Sequence, residues 1–108
     1  VDARNVDVWL PDGYSAKRKY AVLYMHDGQM LFDAAATWNK QEWRADETVG
    51  RLIKEGKIKD VIVVGVWNNG EFRHSEYFPQ KTLPEIPSDA REFIVSKQLK
   101  DKPQADNY

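Results

Sequence analysis

A chain of 108 residues with a net charge of −1 is long enough for one modest domain and lacks the basic footprint of a nucleic-acid binder. It contains no cysteine, which excludes disulfides, thiolate catalysis and cysteine-type zinc sites. No apolar run approaches the ~18 residues of a membrane helix, and the charged residues are mixed in sign without long blocks, as on solvated faces.

The chain begins at Val1 rather than Met, so its N-terminus is either processed or a boundary. A signal peptide could have preceded it, and the compartment stays open, with a secreted or periplasmic one compatible. Arg4 to Leu10 alternates: Val6, Val8 and Leu10 on one side, Asp7 and Trp9 on the other. That pattern predicts a half-buried strand. Pro11-Asp12-Gly13 predicts a turn, because Pro presets φ and Gly can take a positive one. Lys17, Arg18 and Lys19 read as a solvated loop.

Tyr20 to Met25 is a continuous apolar run ending at His26-Asp27-Gly28. Strands buried on both faces look like this, and they belong to parallel sheets covered by helices. A helix is expected from Asp46 to Glu55, since Ala45, Val49, Leu52 and Ile53 fall at helical spacing. Asp46 is its expected N-cap, and Gly56 sits where a left-handed C-terminal cap belongs. Val61 to Val66 is a second buried strand, followed by the polar loop Trp67-Asn68-Asn69-Gly70. The order strand, helix, strand makes a crossover unit with its two strands parallel. From Phe72 to Gln104 the pattern weakens, broken by Pro79, Pro84 and Pro87. Ser88 is the expected cap of a short helix running through Phe93, Ile94 and Leu99.

Ligands of open α/β sheets bind beyond the carboxyl ends of the strands. Two loops lie there, His26 to Gln29 and Trp67 to Arg73. A tight glycine turn after a buried strand can aim backbone N–H groups at a developing oxyanion; a plain turn has the same sequence. His26, at a strand end, reads first as a hydrogen-bonded structural residue. His74 has Ser75 and Glu76 as sequence neighbours, but triad side chains converge from different elements. Gly13-Tyr14-Ser15-Ala16-Lys17 lacks the last glycine of a nucleophile elbow and does not directly follow a buried strand. Trp38, Trp43 and Trp67 fall near the expected ligand end, where they could line an apolar or sugar pocket or simply pack. No phosphate loop and no two-histidine metal spacing is present.

Taken together, four sets of residues resemble the putative-esterase family of α/β-hydrolases. They are Arg4-Asn5-Val6-Asp7-Val8-Trp9-Leu10-Pro11-Asp12-Gly13-Tyr14 (opening strand and turn), Tyr20 to Gln29 with Leu31-Phe32-Asp33 (oxyanion strand and loop), Trp38-Asn39 and Leu52 to Ile58 (first helix), and Val61 to Val66 with Asn68, Arg73, Glu76-Tyr77 and Pro79 (next strand and loop). Met30 stands where many relatives carry Asn. The family includes feruloyl and acetyl-xylan esterases, S-formylglutathione hydrolases, siderophore esterases and mycolyltransferases. The resemblance implies an eight-stranded sheet of order 1-2-4-3-5-6-7-8. Arg4–Leu10 would be its second strand, Tyr20–Met25 its third and Val61–Val66 its fourth. Ala105-Asp106-Asn107-Tyr108 resembles the start of the helix before the fifth. That fifth strand carries the family's serine, so residues 1–108 are expected to be a partial hydrolase domain without the triad serine, acid or histidine.

What carries over is an oxyanion loop at Gly28 and Gln29. His26, Asp27, Trp38, Trp67 and Arg73 are the candidate substrate-pocket residues, with no metal or cofactor. The expected substrate is a small-molecule or carbohydrate-linked ester. The expected partner is the remainder of the hydrolase or a second copy, because Tyr20–Met25 has one edge unpaired in the implied order. Neither nucleic acid nor membrane is expected. A non-catalytic module for carbohydrate or a small ligand is the competing expectation. Valine at position 28 is expected to lower turnover while the fold survives.

Overall fold

Three β-branched or aromatic segments form strands: β1 (Val6–Trp9), β2 (Ala21–His26) and β3 (Val61–Val66). In this computed structural model, which describes residues 3–107, they make one mixed sheet of order β1-β3-β2. β3 is central, antiparallel to β1 and parallel to β2. The parallel pair is joined by helix α1 (Ala45–Lys54), as a strand–helix–strand crossover requires. The described residues divide into two compact units, one of Arg4–Trp67 and one of Ala3 with residues 68–107.

The first unit holds the sheet. Its register sets the faces, because paired residues share a side. Val8, Val64 and Tyr24 stand in one row; Trp9, Val63 and Leu23 stand in the next, on the opposite face. The Trp9 face is the packed one. Val63 and Leu31 are completely buried, Gly65 is buried, and Ala45 and Val49 of α1 are buried as well. Gly50 sits so that an added Cβ would meet the Trp9 ring at 3.6 Å, which places the helix on that ring.

Two expectations change here. The strand at the N-terminus turns its covered side toward Asp7 and Trp9; Val6 and Val8 are 51% and 56% exposed. The large Trp9 ring, not the smaller valines, meets the helix. The strand expected to be buried on both faces is largely exposed, at Val22, Leu23 and Tyr24. It lies at the sheet's edge, paired on one side alone.

Helix α1 begins one residue before the expected start. Arg44, in the left-handed region, occupies the cap position, and Asp46 lies inside the first turn. Gly56 does end the helix as expected. Its φ is +71°, its N–H donates to the Ile53 carbonyl, and the Lys57 N–H donates to Leu52, which is the Schellman pattern.

The second unit consists of short helical pieces, α2 (Arg73–Tyr77) and α3 (Ser88–Phe93), with 3-10 turns at Gly70–Phe72, Gln80–Glu85 and Ala105–Asn107. Pro87, not Ser88, precedes α3; Ser88 is its first residue. The helix expected to reach Leu99 continues as a π-helical segment, Ile94–Gln98, with the Leu99 N–H on the Ile94 carbonyl at 2.9 Å. Leu99 is fully buried and Leu83 nearly so. The buried Ser75 hydroxyl donates to the Leu99 carbonyl at 2.7 Å, and the Gln104 N–H donates to the Ser75 carbonyl at 3.2 Å. The helix start expected at Ala105 to Tyr108 appears as a 3-10 turn over its first three residues; Tyr108 lies outside the described residues.

Candidate functional site

At the carboxyl end of β2 the chain must leave the sheet sharply. The left-handed residue that allows this is Asp27, with φ 57° and ψ 42°, not the adjacent glycine. Asp tolerates that region better than other side chains because its short polar group can bond locally. A single 3-10 turn, Gly28–Met30, follows at once. The Met30 N–H donates to the Asp27 carbonyl at 2.8 Å and the Leu31 N–H to Gly28 at 3.3 Å. The turn's own ladder therefore draws on Met30 and Leu31. Gly28 and Gln29 are the first two residues of the turn.

Gly28 is buried for a reason of contact rather than of φ. An ideal Cβ there would lie 2.6 Å from the carbonyl carbon and oxygen of Gly65 and 2.8 Å from Trp67 Cδ1. A Cβ on Gly65 would in turn lie 3.1 Å from Gly28 Cα and 2.8 Å from Leu31 Cδ1. Two glycines thus let the turn lie directly on the backbone of β3. β3 and the loop after β2 are thereby in direct backbone contact.

Trp67, just past β3, lies beside this contact. Its Nε1 donates to Asp7 Oδ2 at 2.7 Å, a bond from a neutral donor to a carboxylate. Its backbone N–H donates to the Asn5 carbonyl at 3.1 Å, and its own carbonyl accepts from Arg4 Nη1 at 3.2 Å. From the other side, the Trp43 N–H donates to Met30 at 2.8 Å and the Ala45 N–H to Leu31 at 3.0 Å. The start of α1 is therefore fastened to the turn.

The structure brings Gly28, Gln29, Asp27 and Trp67 together in this way. His26 ends β2 with its side chain exposed. Trp38 is 87% exposed and Trp43 65% exposed, so neither is a core residue. Arg73 opens α2 in the second unit, its guanidinium 4.8 Å from the Tyr77 ring centre. Three serines, Ser15 and Ser75 weighed in the sequence and also Ser96, have their hydroxyls engaged within the protein. Ser15 Oγ accepts from the Lys17 N–H at 3.3 Å, Ser75 is buried on Leu99, and Ser96 Oγ donates to the Glu92 carbonyl at 2.8 Å. Among the described residues, no group of three or more His, Asp or Glu side chains could hold a metal ion, and no helix is long and apolar enough to cross a membrane.

Sequence reasoning missed Gly65, Asp7 and Arg4. The signal for Gly65 was present: a glycine inside Val63-Val64-Gly65-Val66 marks close approach of another backbone. Asp7 was visible as the polar member of an alternating strand, but its tryptophan partner was not.

Against known proteins, the model of a family described as putative esterase matches residues 2–99. No solved structure matches the chain.

Proposed function

We propose that this chain, which belongs to the putative esterase family, supplies the oxyanion loop of a serine-type carboxylic-ester hydrolase with the α/β-hydrolase sheet. In that reading β1, β3 and β2 are the family's second, fourth and third strands, and residues 1–108 are part of the domain. The nucleophile, its histidine and its acid come from sequence outside these residues. The open edge of β2 then receives the nucleophile's strand, or a second copy in its absence.

The observation that carries this reading is the contact between Gly28 and Gly65. It holds the N–H groups of Gly28 and Gln29 on a turn that is fixed to β3 before any substrate arrives. Oxyanion stabilisation depends on such preorganisation, because donors already in place cost no reorganisation when charge develops. Asp27, His26 and Trp67 flank the turn and would meet the substrate's acyl or alcohol part.

Two measurements test it. The 108-residue chain alone should hydrolyse p-nitrophenyl acetate no faster than buffer. A saturable rate abolished by a serine-directed fluorophosphonate would overturn the assignment of the triad to other sequence. When the chain is joined to the segment that follows it in its gene, activity should appear. Replacing the Gln29 amide by an ester, which deletes one N–H and leaves the side chain intact, should then lower kcat by about 10²–10³-fold. An unchanged kcat would mean the turn is only a turn.

The exposure of Trp38 and Trp43 favours a second reading, a surface that stacks on carbohydrate rings. Intrinsic fluorescence that shifts on adding xylo-oligosaccharides, and no longer shifts after Trp38→Ala and Trp43→Ala, would support it. No shift would remove it.

A further inference from the structure

We propose that the cleft at the amino ends of β2 and β3 binds a small oligophosphate, an anion of the pyrophosphate and tripolyphosphate class. Arg18, Lys19, Tyr20, Ala21, Lys59 and Asp60 line it, all within the first unit, and it measures about 410 Å³. That lies within the ~300–1,000 Å³ of ligand pockets.

The register of the sheet makes the cleft cationic. β2 and β3 run parallel, with Ala21 opposite Val61. Their approach segments, residues 17–20 and 57–60, therefore arrive side by side. The Arg18 guanidinium bonds Asp60 Oδ2 across the gap at 2.9 Å. Lys19 stands two residues before Ala21, and Lys59 two before Val61. The two lysines thus enter the sheet at the same level. Adjacent strands lie ~4.8 Å apart, and like charges directly opposite one another repel. Among the described residues, neither lysine has a carboxylate partner. The cleft's own carboxylate, Asp60, is taken by Arg18, and the nearby Lys57 is held by Glu55 at 2.8 Å. An anion seated between Lys19 and Lys59 removes the repulsion that the register imposes.

The side chains also choose among anions. A flat carboxylate is best matched by the fork of a guanidinium. The guanidinium of this cleft is committed to Asp60 and lies 5.1 Å from the Tyr20 ring centre. What remains is two compact ammonium groups with three donors each. Such point charges suit the charge-dense oxygens of phosphate, and two linked phosphates can engage both lysines at once. The wall beside them is set before a ligand arrives, which limits the freedom lost on binding. The Tyr20 ring stacks on Tyr14 with centres 5.3 Å apart, and its hydroxyl accepts the Ser15 N–H at 2.9 Å.

This inference stands apart from the ester-hydrolase reading. The six residues of β2 separate the cleft from the turn at Gly28 by ~20 Å, and no turnover is needed. The test is isothermal titration calorimetry of the 108-residue chain with sodium tripolyphosphate near neutral pH. Saturable binding of one tripolyphosphate per chain is expected, with citrate at the same ionic strength about tenfold weaker or worse. Lys19→Gln combined with Lys59→Gln should weaken binding about tenfold or more; both positions are exposed, so the fold should hold. Lys81→Gln combined with Lys97→Gln removes the same charge from exposed positions of the second unit and should leave the affinity unchanged. The absence of saturable binding, equal affinity for citrate, or the same loss in both paired variants would overturn the proposal. So would a chain that sediments with phosphatidylglycerol vesicles but takes up no free tripolyphosphate, which would assign the lysines to a lipid surface.

Discussion

A methyl group at position 28 would have to occupy space 2.6 Å from the backbone of Gly65, and backbone cannot turn aside as a side chain can. Gly28→Ala should therefore destabilise the chain by about 1–3 kcal/mol, the scale of overpacking a filled site. The larger Gly28→Val should do more damage, against the expectation that the fold would survive it. Gly65→Ala should cost less, because its nearest obstacle is the end of the Leu31 side chain. Urea unfolding of the two alanine variants would show this, and equal costs would mean the turn does not rest on the strand backbone. Trp67→Phe keeps the ring's bulk and removes one bond to the Asp7 carboxylate. A loss of about 1–2 kcal/mol is expected, near the low end for a charged acceptor because Asp7 is half-buried. The sequence pointed to Gly28 through its place after an apolar run. It could not show that Asp27 would take the left-handed conformation, or that the glycine's true partner lay 37 residues on, since both depend on how closely the turn approaches β3.

At the scale of elements, the legible parts were those with a single strong period. β3 matches its expected bounds, β2 is displaced by one residue, and α1 ends where Gly56 marks it. The start of α1 was misread because tertiary bonds, not a side-chain cap, fix it: the Trp43 and Ala45 N–H groups are taken up by Met30 and Leu31. Asp46 and Glu47, left in the first turn, still face the positive end of the helix. Gly56→Ala must place a Cβ at φ +71°, which should cost about 1–2 kcal/mol without touching any neighbour, since nothing lies within 4 Å. A thermal unfolding midpoint unchanged by this variant would contradict the Schellman assignment. Residues 68–107 were scarcely legible. Their helices are five or six residues long, too short to show a period, and they are held by single side-chain bonds such as Ser75 to Leu99. One of these ties is pH-sensitive. The hydrogen bond from Lys100, at 2.8 Å, holds the Glu71 carboxyl below the usual carboxylate range, helped by the charges of Lys100 and Lys102. A depressed carboxyl contributes stability above its unfolded pKa and loses it as pH falls through the folded one. Lys100→Met should therefore raise the Glu71 pKa in an NMR titration. Stability near pH 7 should change little, because the pair is exposed.

For the molecule as a whole, the open edge of the sheet is the feature with the largest consequence. β2 pairs with β3 on one side, and its run Ala21-Val22-Leu23-Tyr24-Met25 carries no charge and no proline. Natural edges are blunted by charge, proline or a covering element, and an edge without these pairs with another strand. Tyr24 is 70% exposed, and Val6 and Val8 extend the apolar surface on the same face of the sheet. The esterase reading gives this edge a specific occupant, the strand that bears the nucleophile. In its absence a second copy offers the same backbone groups. The chain by itself should then associate as its concentration rises, and amides of β2 should gain hydrogen-exchange protection in step. Tyr24→Lys, which puts a charge on the strand without altering the register with β3, should return it to monomer while the amides of β3 stay protected. Sedimentation velocity with hydrogen exchange tests both. A wild-type chain that stays monomeric at every concentration would mean the edge is not sticky, and the argument for a missing strand beside β2 would lose its physical basis.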